Sequence, residues 1–401
     1  MSQQHDPSKQ ENYLRQTLSQ DKMTIALLFG AGCPLSVRSS SDTTAPPLIP
    51  DIEGITKEVY RLSEADKKHK KNFKTVSAGL ERSDGHKPNV EKLLTQIRLL
   101  KAAAGKEKVW GLDADELVAL DDFVCEIIID LTNKSLPDGN TPYHKVASWI
   151  GTRRRHKSVE LFTTNYDLLM EQALEERRVP YFDGFVGSHR TFFDPHAMEE
   201  DLLPARWARI WKLHGSINWR KNEHGIVSRG EIHPEGQRRV IHPSHLKYDE
   251  SRKMPYLAMM DRLHAFFKNP GPVLISCGYS FRDEHLNWTL MQGLHGNSTA
   301  ILFGLLFGKL SDYPQAIELA TSRPNLTLLA DDGAVIGARQ AEWVVKPKEA
   351  APPPSIAVEW NNKNDHDVQG QFFLGNFVKF GSFLEDLIGN EQDDGGTAHE
   401  R

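Results

Sequence analysis

Apolar and polar positions along this chain fall into two rhythms. Short apolar runs recur, each ending in a polar or glycine-rich break. "MTIALLF" runs into Gly30-Ala31-Gly32, "VELFT" into Thr164-Asn165-Tyr166-Asp167, "ARIWKL" into His214-Gly215-Ser216, and "PVLISC" into Gly278-Tyr279-Ser280. "TAILFGLLF" and "NLTLLA" follow. Runs of this length bounded by turn residues predict strands buried on both faces. Elsewhere the period lengthens to that of a helix. Val90, Leu93, Leu94, Ile97 and Leu100 share one face and Gly105 stops it, after which "DADELVALDDFVCEIIIDLTNK" repeats the pattern. A helix is also expected from Tyr166, and another after Ser280. Strands alternating with helices predict an α/β fold: a doubly wound, Rossmann-like parallel sheet with an all-helical insertion and a small C-terminal segment.

The pattern divides the chain into an N-terminal extension (1–22), a main domain (23–340, with the helical insertion at about 51–155) and a C-terminal part (341–401). "KPKEAAPPPS" reads as a proline-rich linker. After it, "FFLGNFVKFGSFLEDL" carries five phenylalanines. A segment this apolar is expected to bury either on its own core or on a neighbour, and the second option makes it an assembly segment. The basic run "ADKKHKKNFK" reads as a solvated face.

Composition narrows the function classes. At 401 residues with 39% hydrophobic content, the chain can build a large core. A net charge of −5 argues against strong direct nucleic-acid binding. No apolar run reaches membrane-spanning length and the polar N-terminus lacks a signal-peptide core, so a cytoplasmic location is expected, with no membrane partner. Cys33, Cys125 and Cys277 form no CxxC pair, which argues against a disulfide framework and a four-cysteine zinc site. His233, His242 and His245 match no zinc template and read as loop histidines, so no metal is expected.

Chemistry concentrates at the strand ends. In open α/β sheets ligands bind beyond the carboxyl ends of the strands, and four such turns here would converge on one crevice. Taken singly each is ambiguous. Gly30-Ala31-Gly32 is either a tight turn or a place where backbone amides approach a phosphate. Thr164 to Asp167 fits a capping box. His214 is either structural or an acid–base group. Gly278-Tyr279-Ser280 could turn the chain and cap the helix that follows.

The ordered set strand–GAG, strand–T-x-N-x-D, strand–L-H-G-S, strand–G-x-S is more specific. It resembles the sirtuin family over roughly Met23 to Ala330, and most of all the sirtuin-like NADases of bacterial anti-phage defence. "TTNYD" and "GYSFRDEHL" are typical of that divergent branch. The resemblance implies NAD as substrate. It implies that Gly30, Ala31 and Gly32 cradle the pyrophosphate and that Asn165 holds the nicotinamide ribose and the attacking water. It also implies that Asp167 meets the carboxamide, that His214 is a general base on the ribose hydroxyls, and that Gly278 and Ser280 touch the adenosine side. Thr164 and Tyr279 complete the expected NAD-contacting set.

Those residue types suit the chemistry. Breaking the nicotinamide–ribose bond builds positive charge on the sugar, as in glycoside hydrolysis, and the leaving group is already cationic. An amide that orients water and an imidazole titrating near neutrality are what such a reaction needs. Sirtuins carry a zinc module of two cysteine pairs after the catalytic histidine. Here only Cys277 follows His214, and "SINWRKNEHGIVSRG" reads as a hairpin turning at His224-Gly225. The expected activity is hydrolysis of NAD to nicotinamide and ADP-ribose in abortive-infection immunity. The competing readings are an NAD-dependent protein deacylase and a non-catalytic sensor of NAD or ADP-ribose. An unregulated enzyme of this kind would poison its host, so a control element is expected, either self-assembly into a homo-oligomer or a partner, and the resemblance implies a HerA-like hexameric ATPase as that partner.

Overall fold

In the computed structural model, residues 4–39, 45–105, 107–152, 155–200, 202–221, 226–230, 238–241 and 254–394 are described. Helix α1 (Pro7–Ser19), capped by Asp6, leads into β1 (Ile25–Phe29), a strand buried at every position. The one-turn α2 (Gly32–Leu35) follows. Helices α3 (Ile52–Ala65), α4 (Lys70–Asp84), α5 (Val90–Ala104), α6 (Ala114–Thr132) and α7 (Pro142–Thr152) then separate β1 from β2 (Glu160–Thr163) and α8 (Leu169–Glu176). The middle of the chain forms β3 (Tyr181–Phe182), β4 (Phe185–Val186), β5 (Phe192–Phe193), α9 (Pro195–Glu200), β6 (Ala208–Lys212), β7 (Gly215–Lys221), β8 (Val227–Arg229) and β9 (Arg238–Ile241). Next come α10 (Tyr256–Phe266), β10 (Val273–Cys277), α11 (Glu284–Gly296), β11 (Ile301–Leu305), α12 (Pro314–Ser322) and β12 (Leu326–Leu329). The chain ends with β13 (Gly333–Ile336), β14 (Arg339–Glu342), β15 (Val345–Pro347), β16 (Val358–Asn362), β17 (Asp367–Phe372) and α13 (Phe377–Asp394). None of the described helices is long and apolar enough to cross a membrane.

Among the described residues, nine strands join one sheet in the order β14-β13-β12-β11-β10-β1-β2-β6-β3. Its strands from β12 to β3 run parallel, and β13 and β14 add an antiparallel edge. From β1 the chain first builds outward through β2, then returns to the other side of β1 as β10 and builds through β11 and β12. The order therefore reverses between β1 and β10, the switch point where open sheets of this kind bind ligands.

Both faces of the sheet are covered, as a doubly wound fold requires. Ile25, Leu27 and Phe29 of β1 pack with α1, α7, α8 and α13, while Ala26 and Leu28 pack with α10, α11 and α12. The alternation follows from the two-residue period of a strand.

The helical block divides in two. Helices α3 to α6 enclose a core of their own, built from residues such as Val59, Val76, Leu93, Ile97, Leu117 and Val124. Helix α7 instead gives Tyr143, Val146, Ala147 and Trp149 to the main core. The lysines of "ADKKHKKNFK" lie mostly exposed, as a solvated face should.

The C-terminal part differs from a linker and a detached piece. β15, the start of the proline-rich segment, pairs with β17 at the edge of a small antiparallel sheet ordered β15-β17-β16. Edge strands tolerate proline because one side of the strand needs no hydrogen bonds. Phe372, Phe377, Phe380 and Phe383 are buried in the chain's own main core, with Phe377 meeting Phe29 and Tyr143 edge-on at 5.3 and 4.9 Å. The N-terminal extension is tied to the same region. Arg15 pairs with Asp386 at 2.6 Å, and the Ser355 hydroxyl donates to Glu11 at 2.6 Å. Phe380→Ala should therefore lower stability by about 3–5 kcal/mol, the usual cost of deleting a buried phenylalanine ring. Thermal or urea denaturation checks this, and a loss below about 1 kcal/mol would mean that α13 is not part of the main core.

Candidate active site

Four turns meet at the carboxyl ends of β10, β1, β2 and β6, adjacent in the sheet. At the switch point, two of them interlock. The Gly30 N–H donates to the Cys277 carbonyl and the Gly32 N–H to the Gly278 carbonyl, both at 3.0 Å. A Cβ on Gly30 would lie 2.3 Å from the Gly278 oxygen. One on Gly278, whose φ is +67°, would lie 2.6 Å from the Cys33 nitrogen. The glycines are thus required first by close backbone approach between two turns. The N–H groups of Gly30 and Gly32 are engaged there, and Ala31 is exposed at the tip.

The next turn follows β2. The Thr164 N–H donates to the Phe29 carbonyl at 3.2 Å, which holds the loop to the end of β1. The Asn165 N–H donates to the Thr163 hydroxyl at 3.0 Å, and its side-chain amide donates to the Gly30 carbonyl at 3.1 Å. Asn165 therefore sits against the glycine turn. The capping box is not formed, because α8 begins at Leu169 rather than Tyr166. Asp167 instead accepts from the Leu169 N–H at 3.0 Å in a local turn of its own.

Asp167 is buried, and burial pushes its carboxyl up to about 6, against a smaller opposing pull from Lys212. The Lys212 ammonium donates to the Asp167 backbone carbonyl and pairs with Glu171 at 3.1 Å. Because the folded-state value lies above the unfolded one, the folded chain binds this proton more tightly. Asp167 thus costs stability in full above pH 6, and the cost is relieved as pH falls from 6 toward 4. The cost at neutral pH is about 3 kcal/mol. Asp167→Asn keeps an oxygen for the Leu169 N–H. It should be the more stable protein above pH 6, with the advantage vanishing near pH 4. Melting temperatures of both proteins across that range test this, and a pH-independent difference would rule it out.

His214 lies in the turn between β6 and β7, almost wholly buried. Its Nε2 is 3.2 Å from the Asp283 Oδ2. Asp283 was assigned no role from the sequence, where "GYSFRDEHL" entered only as a turn, a helix start and part of the family resemblance. It caps α11, its Oδ1 accepting from the His285 and Leu286 N–H groups at 3.1 Å each. Gly278-Tyr279-Ser280 therefore turns the chain but does not cap. Since β6 and β10 flank β1 and β2, the His214–Asp283 contact spans three strand spacings, about 14 Å. The two strands between them end in the glycine turn and Asn165.

The remaining candidates divide. Ser280 is half-buried at the strand end. The Tyr279 ring turns into the core, tilted against Phe281 at 4.8 Å, with its hydroxyl donating to Asn287 Oδ1 at 2.7 Å. Beyond His214, β7 pairs antiparallel with both β8 and β9, so the expected hairpin forms, although its turn at His224-Gly225 lies outside the described residues. All three cysteines are buried free thiols. His233, His242 and His245 also lie outside the described residues, and among those that are described no His, Cys, Asp or Glu cluster is arranged to hold a metal.

No curated protein matches this sequence. Among solved structures, the chain is similar to a Sir2 homologue crystallised as an NAD complex. The identity is 15%, the match covers 76% of this chain and 86% of that one, and the TM-score is 0.33. It is also similar to a Sir2 enzyme studied for mechanism and regulation, at 13% identity over 75% of this chain and 87% of that one, again with a TM-score of 0.33. The stretch that carries Asn165, Asp167, His214, Gly278, Ser280 and Asp283 is the part with a family likeness: residues 159–308 match the model of the SIR2-like domain.

Proposed function

We propose that this chain hydrolyses NAD to nicotinamide and ADP-ribose. The observation that supports the reading is that Asn165, bonded to the glycine turn, and His214, 3.2 Å from the Asp283 carboxylate, stand at the carboxyl ends of the neighbouring strands β2 and β6, inside the stretch that matches the SIR2-like domain. As the nicotinamide–ribose bond breaks, the leaving group departs neutral and the sugar becomes cationic. Asn165 orients the ribose and the water that attacks it, and the water adds to the anomeric carbon. His214 accepts a proton from a ribose hydroxyl or from that water, and the net products are nicotinamide, ADP-ribose and one proton.

Protein deacylation on the same fold is disfavoured by the segment after His214. It runs straight into β7 and holds no cysteine pairs like those of the sirtuin zinc module. The likeness of "TTNYD" and "GYSFRDEHL" to sirtuin-like NADases supports a role as an effector of abortive infection, acting by NAD depletion. An enzyme that empties its host of NAD needs a control element, and self-assembly or a HerA-like ATPase would supply one. Purified chain incubated with NAD, with and without an acyl-lysine peptide and with and without such an ATPase, tests the proposal by product analysis. Free ADP-ribose without peptide is expected. Acyl-ADP-ribose would favour deacylation, and no turnover in any mixture would leave only a binding module.

A further inference from the structure

We propose that Asp283 is a positioning residue that sets which nitrogen of His214 carries the proton. The inference rests on the reading of His214 as the base in NAD hydrolysis. Asp283 meets two demands at once. Its Oδ1 takes the two backbone N–H groups at the start of α11, and its Oδ2 lies 3.2 Å from His214 Nε2. Capping alone requires one acceptor oxygen and is done equally well by asparagine or serine. The second oxygen lies within ion-pairing distance of an imidazole carried from the far side of two strands, a contact that capping does not require.

An ionised carboxylate can only accept hydrogen bonds. Facing one, the neutral imidazole carries its proton on Nε2, which puts the lone pair on Nδ1. When His214 takes up a proton, the same carboxylate stabilises the imidazolium. Burial of His214 and partial burial of Asp283 keep that interaction less screened than at a surface.

The loop that carries Asp283 has its shape fixed from the same helix. Phe281 adopts a left-handed backbone with φ of +57°. Asn287, one turn into α11, donates from Nδ2 to the Phe281 carbonyl at 2.7 Å, while its Oδ1 accepts from the Tyr279 hydroxyl at 2.7 Å. The carboxylate is thereby held on a rigid element at both ends of the loop, as a group that must orient another to within a few tenths of an ångström should be.

Asp283→Asn separates the two roles. The amide has one oxygen, and the cap takes it. Its NH2 then faces His214 and can only donate, which forces the imidazole into the opposite tautomer. The expected result is an unchanged melting temperature, kcat for NAD lower by at least about tenfold with KM little altered, and a reversal of the 15N imidazole shifts of His214 that report the tautomer. Asp283→Ser, which caps without reaching the ring, should lose the Nε2–H preference without reversing it. Unchanged kcat together with unchanged 15N shifts in Asp283→Asn would overturn the proposal and leave Asp283 a helix cap. If the wild-type chain turns over no NAD, the hydrolase reading fails by itself. The 15N shifts then still decide the role of Asp283: a reversal supports it and unchanged shifts overturn it.

Discussion

Asn165→Ala is expected to abolish NAD turnover, by on the order of 100-fold or more, in a protein that folds as before. Among the described residues, the side chain makes one hydrogen bond, to the Gly30 carbonyl. Its loss should cost only about 0.5–1.5 kcal/mol of stability. The loop that carries it keeps its other ties, the Thr164 N–H to Phe29 and the Ile217 N–H to the Tyr166 carbonyl, at 3.2 and 3.0 Å. Stability and chemistry should therefore separate: a melting temperature within a few degrees of the parent, and no nicotinamide released. NAD consumption measured beside thermal denaturation decides. Near-normal turnover would remove Asn165 from the reaction, and a collapse of both together would make it a fastener between two turns.

The strand ends were legible because buried parallel strands read as unbroken apolar runs, so where "TIALLF" and "PVLISC" stop is plain in the letters. Less was visible where burial is partial. β14 lies mostly exposed, β3 is two residues long, and neither leaves a period to read. The start of α8 was misplaced because Asp167 bonds to the backbone two residues on, an option that competes with helix and looks like a cap in sequence. The aromatic C-terminal segment was recognisable as something that must be buried. Its partners, Phe29 and Tyr143, are hundreds of residues away, so the letters could not choose between its own core and a neighbour's. Asp283 was hidden for a related reason. Sequence displays the capping oxygen through the residues that follow it, whereas the oxygen facing His214 depends on strand order.

His214→Ala should likewise remove hydrolysis, by about 100-fold or more, and with it any toxicity or phage protection in cells. The argument starts from its placement: "KLHGS" leaves β6 on the same sheet edge as Asn165, and a neutral imidazole there can accept a proton as nicotinamide departs. A purely structural histidine would behave differently, because its removal would lower melting temperature and soluble yield before it touched chemistry. The expected outcome is near-normal folding, retained NAD binding by calorimetry, and no product. Protection from phage that survives with NAD levels unchanged would show that NAD depletion is not how the chain acts. The sensor reading would then come first.

Tyr166 and Leu168, beside Asn165, and Ile217, three residues after His214, pack into the core of α3 to α6 rather than into the sheet's own layers. The helical insertion is consequently not a cassette that could be lifted out and replaced by a short turn. Shortening it would leave the loops that carry Asn165 and His214 with apolar side chains facing water. A lineage carrying this arrangement can alter the insertion only in step with the loops, so length changes should collect at the junctions between its helices.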